Sequence, residues 1–327
     1  MTILDEITQS RQQDLPLMHA AIEELNASGD NLPPRTRMHL SEVLARARRV
    51  GIIAELKPAS PSQGVLLAET GQSLPPTAGL DYSQILAPTV SEIDQKIAAM
   101  VHGRAIGVSV LTEPRYFRGS YGNLQAVARV APHSIPILLK DFIVDEVQLE
   151  LGQLCGASNA LIVASIGNPC KMVELAAEYE LEPLIEIHSE DDISKVAELA
   201  GGEIPFVIGI NNRDLTDLTI NFQTTRRLVP RVREVFGSTH SIITESGISS
   251  RKDLMLLGGN GVQAALVGTA IMHARIDQIL KELQGATPLF IKICGITDVE
   301  TFRSLDNPSV TAFGCVVGVP ESKRNVD

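Results

Sequence analysis

The stretch GIIAELKPASPSQG, residues 51–64, decides how the rest of the chain is read. Residues 51–54 are small or apolar, as in a strand buried on both faces. Glu55 and Lys57 then appear two residues apart, on one side of that strand, with Leu56 between them. Pro58 and Pro61 end the run, and Ser60, Ser62 and Gly64 read as loop. A carboxylate and an ammonium are costly to bury unless they are paired. Their place at the strand's C-terminal end therefore points to a polar pocket there.

Seven more short apolar runs follow: AIGVSVL (105–111), IPILLKD (135–141), NALIVAS (159–165), EPLIEIH (182–188), FVIGIN (206–211), SIITES (241–246) and AALVGT (264–269). Each is too short and too β-branched for a helix. Helical patterns lie between most of them, as in DEVQLELGQLCG (145–156), PCKMVELAAEYE (169–180), EDDISKVAELAGG (190–202) and RKDLMLLGGNG (251–261). Alternating strands and helices predict a parallel sheet covered by helices. Eight units predict a closed α/β (β/α)8 TIM barrel over residues 49–285. An open doubly wound sheet would carry a G-x-G-x-x-G turn after the first strand, where this chain has PASPSQG.

Residues 1–48 hold two helical patterns joined by NLPP (31–34), an N-terminal helical extension expected to cap the bottom or side of the barrel. The Pro- and Gly-rich stretch 65–90 precedes the helical SEIDQKIAAMV (91–101) and reads as an enlarged first loop on the face where barrels do chemistry.

Composition narrows the function. Apolar residues make up 44% of 327, ample for a core. No apolar run reaches the roughly 18 residues of a membrane span, and MTILDEITQSRQQDL is too polar for a secretory signal. Four cysteines without C-x-x-C spacing fit a reducing, cytoplasmic compartment and argue against zinc. A net charge of −11 argues against nucleic-acid or anionic-membrane partners. An anionic ligand would need a local cationic cluster.

Polar and charged residues gather at the C-terminal ends of the runs: Glu55 and Lys57; Ser109, Thr112 and Glu113; Lys140 and Asp141; Glu186 and His188; Asn211 and Arg213; Glu245 and Ser246. Singly, Lys57 or Lys140 could be a surface lysine, and Glu186 a helix cap. Gathered on one rim, they predict an active site. TESGIS (244–249) and LVGTAI (266–271) add Gly247 and Gly268, where backbone N–H groups after strands 7 and 8 could hold a phosphate. Thr269 and Ser60 could add hydroxyls.

Taken in order, IIAELKPASPSQG, SVLTEPRYFRGS, ILLKDFIVDEVQ, LIEIHSEDD, IGINNRDL, TESGIS and LVGTAIM resemble the signatures of the indole-3-glycerol-phosphate synthase family, over about residues 50–285. The resemblance implies decarboxylative ring closure of 1-(2-carboxyphenylamino)-1-deoxyribulose 5-phosphate in tryptophan biosynthesis, with no metal or organic cofactor. It implies Lys140 as general acid at ring closure, and Lys57 as a substrate contact sharing acid duty in dehydration. Glu186 is the implied base or proton carrier, and Glu55 the support of the lysines. Asn211 and Glu245 would line the reacting centre, Arg213 would pair with a nearby or substrate carboxylate, and Phe117 and Phe142 would pack the anthranilate ring. Ser60, Ser246, Gly247, Gly268 and Thr269 complete the implied substrate contacts. The expected partners are a phosphorylated small molecule and, as candidates, other tryptophan-pathway enzymes. Three features depart from the family pattern: His188 where some members have Asn, Thr269 where Ser or Glu is common, and the length of the 65–90 loop. The rival readings are another phosphate-handling barrel, such as an isomerase or a Schiff-base aldolase on Lys140, and a barrel that only binds.

Beyond the barrel, residues 286–327 start again: LFIKICG, DVETFRSL and VTAFGCVVG read as strand, helix and strand. They resemble the beginning of phosphoribosylanthranilate isomerase, a partial second barrel in which Cys294 matches the general base and Arg324 a substrate-binding arginine. Two strands and a helix cannot close a barrel, so Cys294 is expected to be an inert thiol within these 327 residues and isomerase activity to be absent.

Overall fold

The computed structural model describes residues 2–30, 32, 38–47, 49–67, 81–214, 219–258, 260–272 and 275–285, and beyond these only the backbone of a few short strands. Eight parallel strands close a barrel: β1 (Gly51–Leu56), β2 (Gly107–Leu111), β3 (Ile137–Lys140), β4 (Asn159–Val163), β5 (Glu182–Ile187), β6 (Val207–Asn211), β7 (Ser241–Glu245) and β8 (Ala264–Val267). β8 pairs with β1 to complete the ring, Gly51 opposite Ala264. Each strand falls within one of the eight apolar runs. A two-residue antiparallel pair, Ala59–Ser60 with Gly64–Val65, folds the loop after β1 back on itself.

The alternation of side chains along a strand sorts the core into two layers. One set faces the helices, including Ile52, Ala54 and Leu56 of β1 and Ile185 and Ile187 of β5. The other fills the barrel: Ile53, Leu138, Leu161, Leu184, Val207, Ile243 and Ala264. Two residues further along the same inward rows stand Glu55, Lys140, Glu186 and Glu245. The charged rim is thus the last inward layer, which is why it follows eight strands of hydrophobic packing yet points into the mouth.

The helices are α1 (Ile3–Ser28), α2 (Leu40–Arg46), α3 (Tyr82–Leu86), α4 (Ile93–His102), α5 (Tyr121–Val130), α6 (Glu146–Leu154), α7 (Pro169–Glu178), α8 (Glu190–Lys195), α9 (Gln223–Phe236), α10 (Arg251–Gly258), α11 (Thr269–Met272) and α12 (Ile276–Gln284). Their starts are chemically specified. Asp145 and Ser189 close capping boxes on α6 and α8, and Asn168 with Pro169 opens α7. The pattern EDDISKVAELAGG predicts one helix, but α8 ends at Lys195 and a 3₁₀ turn, Ala197–Gly201, follows.

The two N-terminal helices do different jobs. α2 plugs the bottom: Leu40 and Leu44 belong to the barrel-interior cluster, each burial contributing roughly 1.5–3 kcal/mol. The Ser41 amide also donates to Glu182 Oε2 at the start of β5 (3.0 Å). α1 runs unbroken through Pro16 and buries Ile7, Arg11, Asp14, Met18, Ala21, Ile22 and Leu25, a stripe at three- and four-residue spacing. It packs on α3 and α6 and carries its first turn up to the mouth.

Of the enlarged loop, residues 68–80 lie outside the described residues; its far end forms α3. Among the described residues no helix is long and apolar enough to cross a membrane. In the tail, strand β9 (Ile291–Cys294) pairs in parallel with β10 (Val310–Gly314). The expected helix DVETFRSL and Arg324 lie outside the described residues, as does the side chain of Cys294.

Candidate active site

Lys140, the last residue of β3, reaches across the top of the barrel and donates to Glu186 Oε2 and Glu245 Oε2, each at 3.0 Å. All three groups are nearly withdrawn from water, which makes their charge balance decisive. Burial alone would strip the proton from Lys140, but Glu186, Glu245 and Glu55 outweigh it and hold the ammonium above its ordinary range. One ammonium cannot neutralise two buried carboxylates, so their titrations separate. Burial pushes Glu245 up to about 8, with the neighbouring Glu186 adding to Lys140's inability to compensate both. For Glu186, burial also acts upward, but Lys140 and then His188 overcome it and hold the group at about 2. The two part in opposite directions because, besides Lys140, Glu186 has a second basic neighbour, His188 Nε2 at 3.3 Å from its Oε1.

Opposite this group, Lys57 Nζ pairs with Glu55 Oε1 at 2.8 Å, and Ser109 Oγ approaches the other oxygen at 3.5 Å. Two glycines make room for the carboxylates. A Cβ on Gly268 would lie 2.5 Å from Glu55 Oε1, and one on Gly209 would collide with Glu245 Oε1. Gly209 occupies the inward row of β6 between Val207 and Asn211, so its missing side chain is the space Glu245 fills. Asn212 fixes the same strand end: its Nδ2 donates to Thr244 Oγ1 (2.9 Å) and to the Glu245 carbonyl (3.0 Å).

These residues line one cavity of about 280 Å³. Glu55, Lys57, Lys140, Glu186, Asn211, Arg213 and Glu245 meet there with Phe117 and Phe142 on one side and Ser246, Gly247, Gly268 and Thr269 on the other. At that second side Ser246 (φ 65) and Gly247 (φ 88) both sit in the left-handed region. A left-handed serine costs energy that the surrounding structure must supply, and such residues cluster at functional sites. Burial lowers the Arg213 guanidinium somewhat, with Glu55 acting against it. The rings of Phe117 and Phe142 pack 6.0 Å apart at a tilt. Ser60 is set apart from Gly247 and Gly268: it lines an adjoining cavity of about 60 Å³ that shares Lys57, Phe117, Phe142 and Arg213 with the main one. Its hydroxyl is buried without a hydrogen-bond partner.

Two rim residues of the sequence support the frame. Asp141 also lines the cavity, but its carboxylate is taken up by the frame: it accepts from Arg11 Nη2 (2.6 Å), Thr112 Oγ1 (2.7 Å) and its neighbour's amide, Phe142 N (2.8 Å). Glu113 is raised by burial, against the pull of Arg11, and accepts the amides of Arg115, Tyr116 and Phe117, shaping the loop that delivers Phe117. Ile3, Leu4 and Ile7 of α1 line the smaller cavity, a role that sequence reasoning did not assign. Their amphipathic spacing announces a packed helix face but not what that face packs on.

A family model described as Indole-3-glycerol phosphate synthase matches residues 87–283. Proteins described as indole-3-glycerol phosphate synthase are similar over most of the chain. That of Methanocaldococcus jannaschii is 34% identical over 84% of this chain and 95% of its own length. That of Lactiplantibacillus plantarum is 33% identical over 83% and 94%, and that of Campylobacter jejuni subsp. doylei 34% over 83% and 95%. With a closed barrel whose charged inner layer ends in one cavity, this chain belongs to the indole-3-glycerol phosphate synthase family, and it is a carboxy-lyase that closes the indole ring of indole-3-glycerol phosphate in tryptophan biosynthesis.

Proposed function

We propose that the rim residues divide the ring closure as follows. Lys140 donates to the C2′ carbonyl oxygen of the substrate, so that the aromatic carbon bearing the carboxylate attacks C2′. The new carbon–carbon bond forms, CO2 leaves with restoration of the ring, and the C2′ hydroxyl, protonated by Lys57, departs as water while C1′ gives up a proton to Glu186 and the C1′–C2′ double bond forms. Glu186 takes up and returns protons. Glu55 holds Lys57, and Asn211 and Glu245 shape the reacting centre. Phe117 and Phe142 pack the anthranilate ring, with Arg213 beside its carboxylate. Ser246, Gly247, Gly268 and Thr269 take the phosphate, with Ser60 contacting substrate from the adjoining cavity.

The observation that carries this reading is the ammonium of Lys140 held between two buried carboxylates at the floor of the cavity. A lysine kept charged can donate a hydrogen bond to a carbonyl oxygen and, once drawn away from the two carboxylates, its proton; it is unsuited to form a Schiff base, which needs the free amine. Steady-state kinetics test the roles. Lys57→Ala and Glu186→Ala should each lower kcat more than they raise KM, as expected for interactions made mainly in the transition state, while the fold survives. Inorganic phosphate should compete with substrate and shift the amide resonances of Gly247 and Gly268. A Glu186→Ala variant altered only in thermal stability would make Glu186 a structural residue.

We also read residues 286–327 as the first strands of an isomerase-like unit, supported by the parallel pairing of β9 with β10. The polypeptide is expected to leave phosphoribosylanthranilate unchanged. Turnover that disappears in Cys294→Ser would show a working second site.

A further inference from the structure

His188 has no part in the reaction as described, yet its place is specific. It is the inward residue two beyond Glu186, at the end of β5, with its side chain 15% exposed. Nε2 lies 3.3 Å from Glu186 Oε1 and Nδ1 lies 4.0 Å from Asp192 Oδ2. Both ring nitrogens are buried, and neither makes a hydrogen bond. Buried polar atoms are normally satisfied, so an unpaired pair beside a reacting carboxylate calls for an explanation.

The balance of charge supplies one. In the empty site Glu186 is neutralised through Oε2 by Lys140. Once a substrate carbonyl draws the Lys140 ammonium toward itself, that bond weakens, and a buried carboxylate must find another donor. The other oxygen of Glu186 faces His188 at a distance that a small ring rotation turns into a hydrogen bond; such bonds often tighten only when substrate is present. Asp192 is itself held in place, accepting the amides of His188 and Ser189, so the ring lies between two fixed carboxylates. The remaining charged groups around His188 lie across a polar cleft: Asp191 and Lys195 on α8, Arg213 and Asp214 after β6, and Arg227 on α9.

We propose that His188 is a positioning residue for Glu186: its Nε2–H takes over Glu186 Oε1 as Lys140 turns to the substrate, keeping Glu186 ionised and aimed at the reacting centre. This rests on the roles assigned above to Lys140 and Glu186.

The test is kinetic and uses the full chain. His188→Ala should lower kcat roughly 10- to 100-fold, the worth of a hydrogen bond to a charged group, with little change in KM. His188→Gln, which restores a neutral donor, should recover most of the rate. In a Glu186→Gln background, His188→Ala should cost nothing further. A slow Glu186→Gln beside a His188→Ala variant with the wild-type kcat overturns the inference alone. Full additivity of the two substitutions overturns it as well. A Glu186→Gln variant with the wild-type rate removes the role of Glu186, and that of His188 with it. If His188→Ala fails to fold, His188→Met, which fills the space without a donor, is compared with His188→Gln: equal rates count against the proposal.

Discussion

Lys140→Ala should lower kcat by roughly 10²–10⁴-fold, the usual worth of a positioned general acid, and leave substrate binding largely intact. With the roles proposed above, the phosphate and the aromatic ring are met by other groups lining the cavity, so affinity should not depend strongly on this side chain. The carbonyl oxygen, in contrast, would lose the donor that develops its strongest interaction in the transition state. The substitution has a second effect. With the ammonium gone, Glu186 and Glu245 are two buried carboxyls with no cation between them, and both will be held above the ordinary carboxylate range. A group whose folded value is raised contributes stability at low pH and loses it as pH climbs through that value. The variant should therefore be more stable in mild acid than in base, the loss beginning above the ordinary carboxylate range and levelling off once pH exceeds the raised folded values. Indole formation followed by fluorescence, with thermal unfolding across the same pH range, checks both. A rate near that of the wild type would remove Lys140 from the mechanism.

Arg11→Ala should cost roughly 3–5 kcal/mol of stability, the penalty for leaving a buried partner uncompensated. Arg11 is 1% exposed, and its two terminal nitrogens bridge Asp14 (2.9 Å) and Asp141 (2.6 Å). Asp14 keeps a second partner, Arg115 at 2.6 Å; Asp141 keeps only neutral donors. Burial works against the guanidinium, but Asp141, Tyr121, Glu113 and Asp14 hold it charged. Arg11→Lys should recover only part of the loss, because a single ammonium cannot bridge two carboxylates as a planar fork does. Salt should change the penalty little, since the pair is buried. Asp141 is the neighbour of Lys140, and α1 carries Ile3, Leu4 and Ile7 over the adjoining cavity, so KM should rise along with the fall in stability. Urea unfolding of the two variants measures the effect. A midpoint for Arg11→Ala equal to that of the wild type would show the network to be dispensable.

Much of this was legible in local sequence. Strand existence follows from short β-branched runs, and barrel closure from eight of them with helices between. The active rim follows from one rule: side chains alternate along a strand, so a charge two residues beyond an inward apolar residue must also point inward. Ile53 and Glu55, Leu138 and Lys140, Leu184 and Glu186, and Ile243 and Glu245 are four instances of it. The period also separates Lys140 from Asp141, although both looked like rim residues in the sequence. One faces the mouth; the other, a residue later, faces α1 and Arg11.

What a local rule cannot reach is which distant surfaces meet. The contact between Arg11 and Asp141 spans 130 positions, and nothing near Arg11 distinguishes it from an exposed arginine on an amphipathic helix. Tertiary packing decides that α2 plugs the bottom of the barrel, with Leu40 and Leu44 in its interior, while the first turn of α1 reaches the mouth. The same holds for Ser60, which a tight antiparallel turn carries into the smaller cavity and away from the glycines after β7 and β8. The charge state of the three central groups is likewise tertiary: any one of Lys140, Glu186 and Glu245 would titrate ordinarily in water. Only the closed barrel, by excluding water and placing two carboxylates 3.0 Å from one ammonium, drives their proton affinities apart.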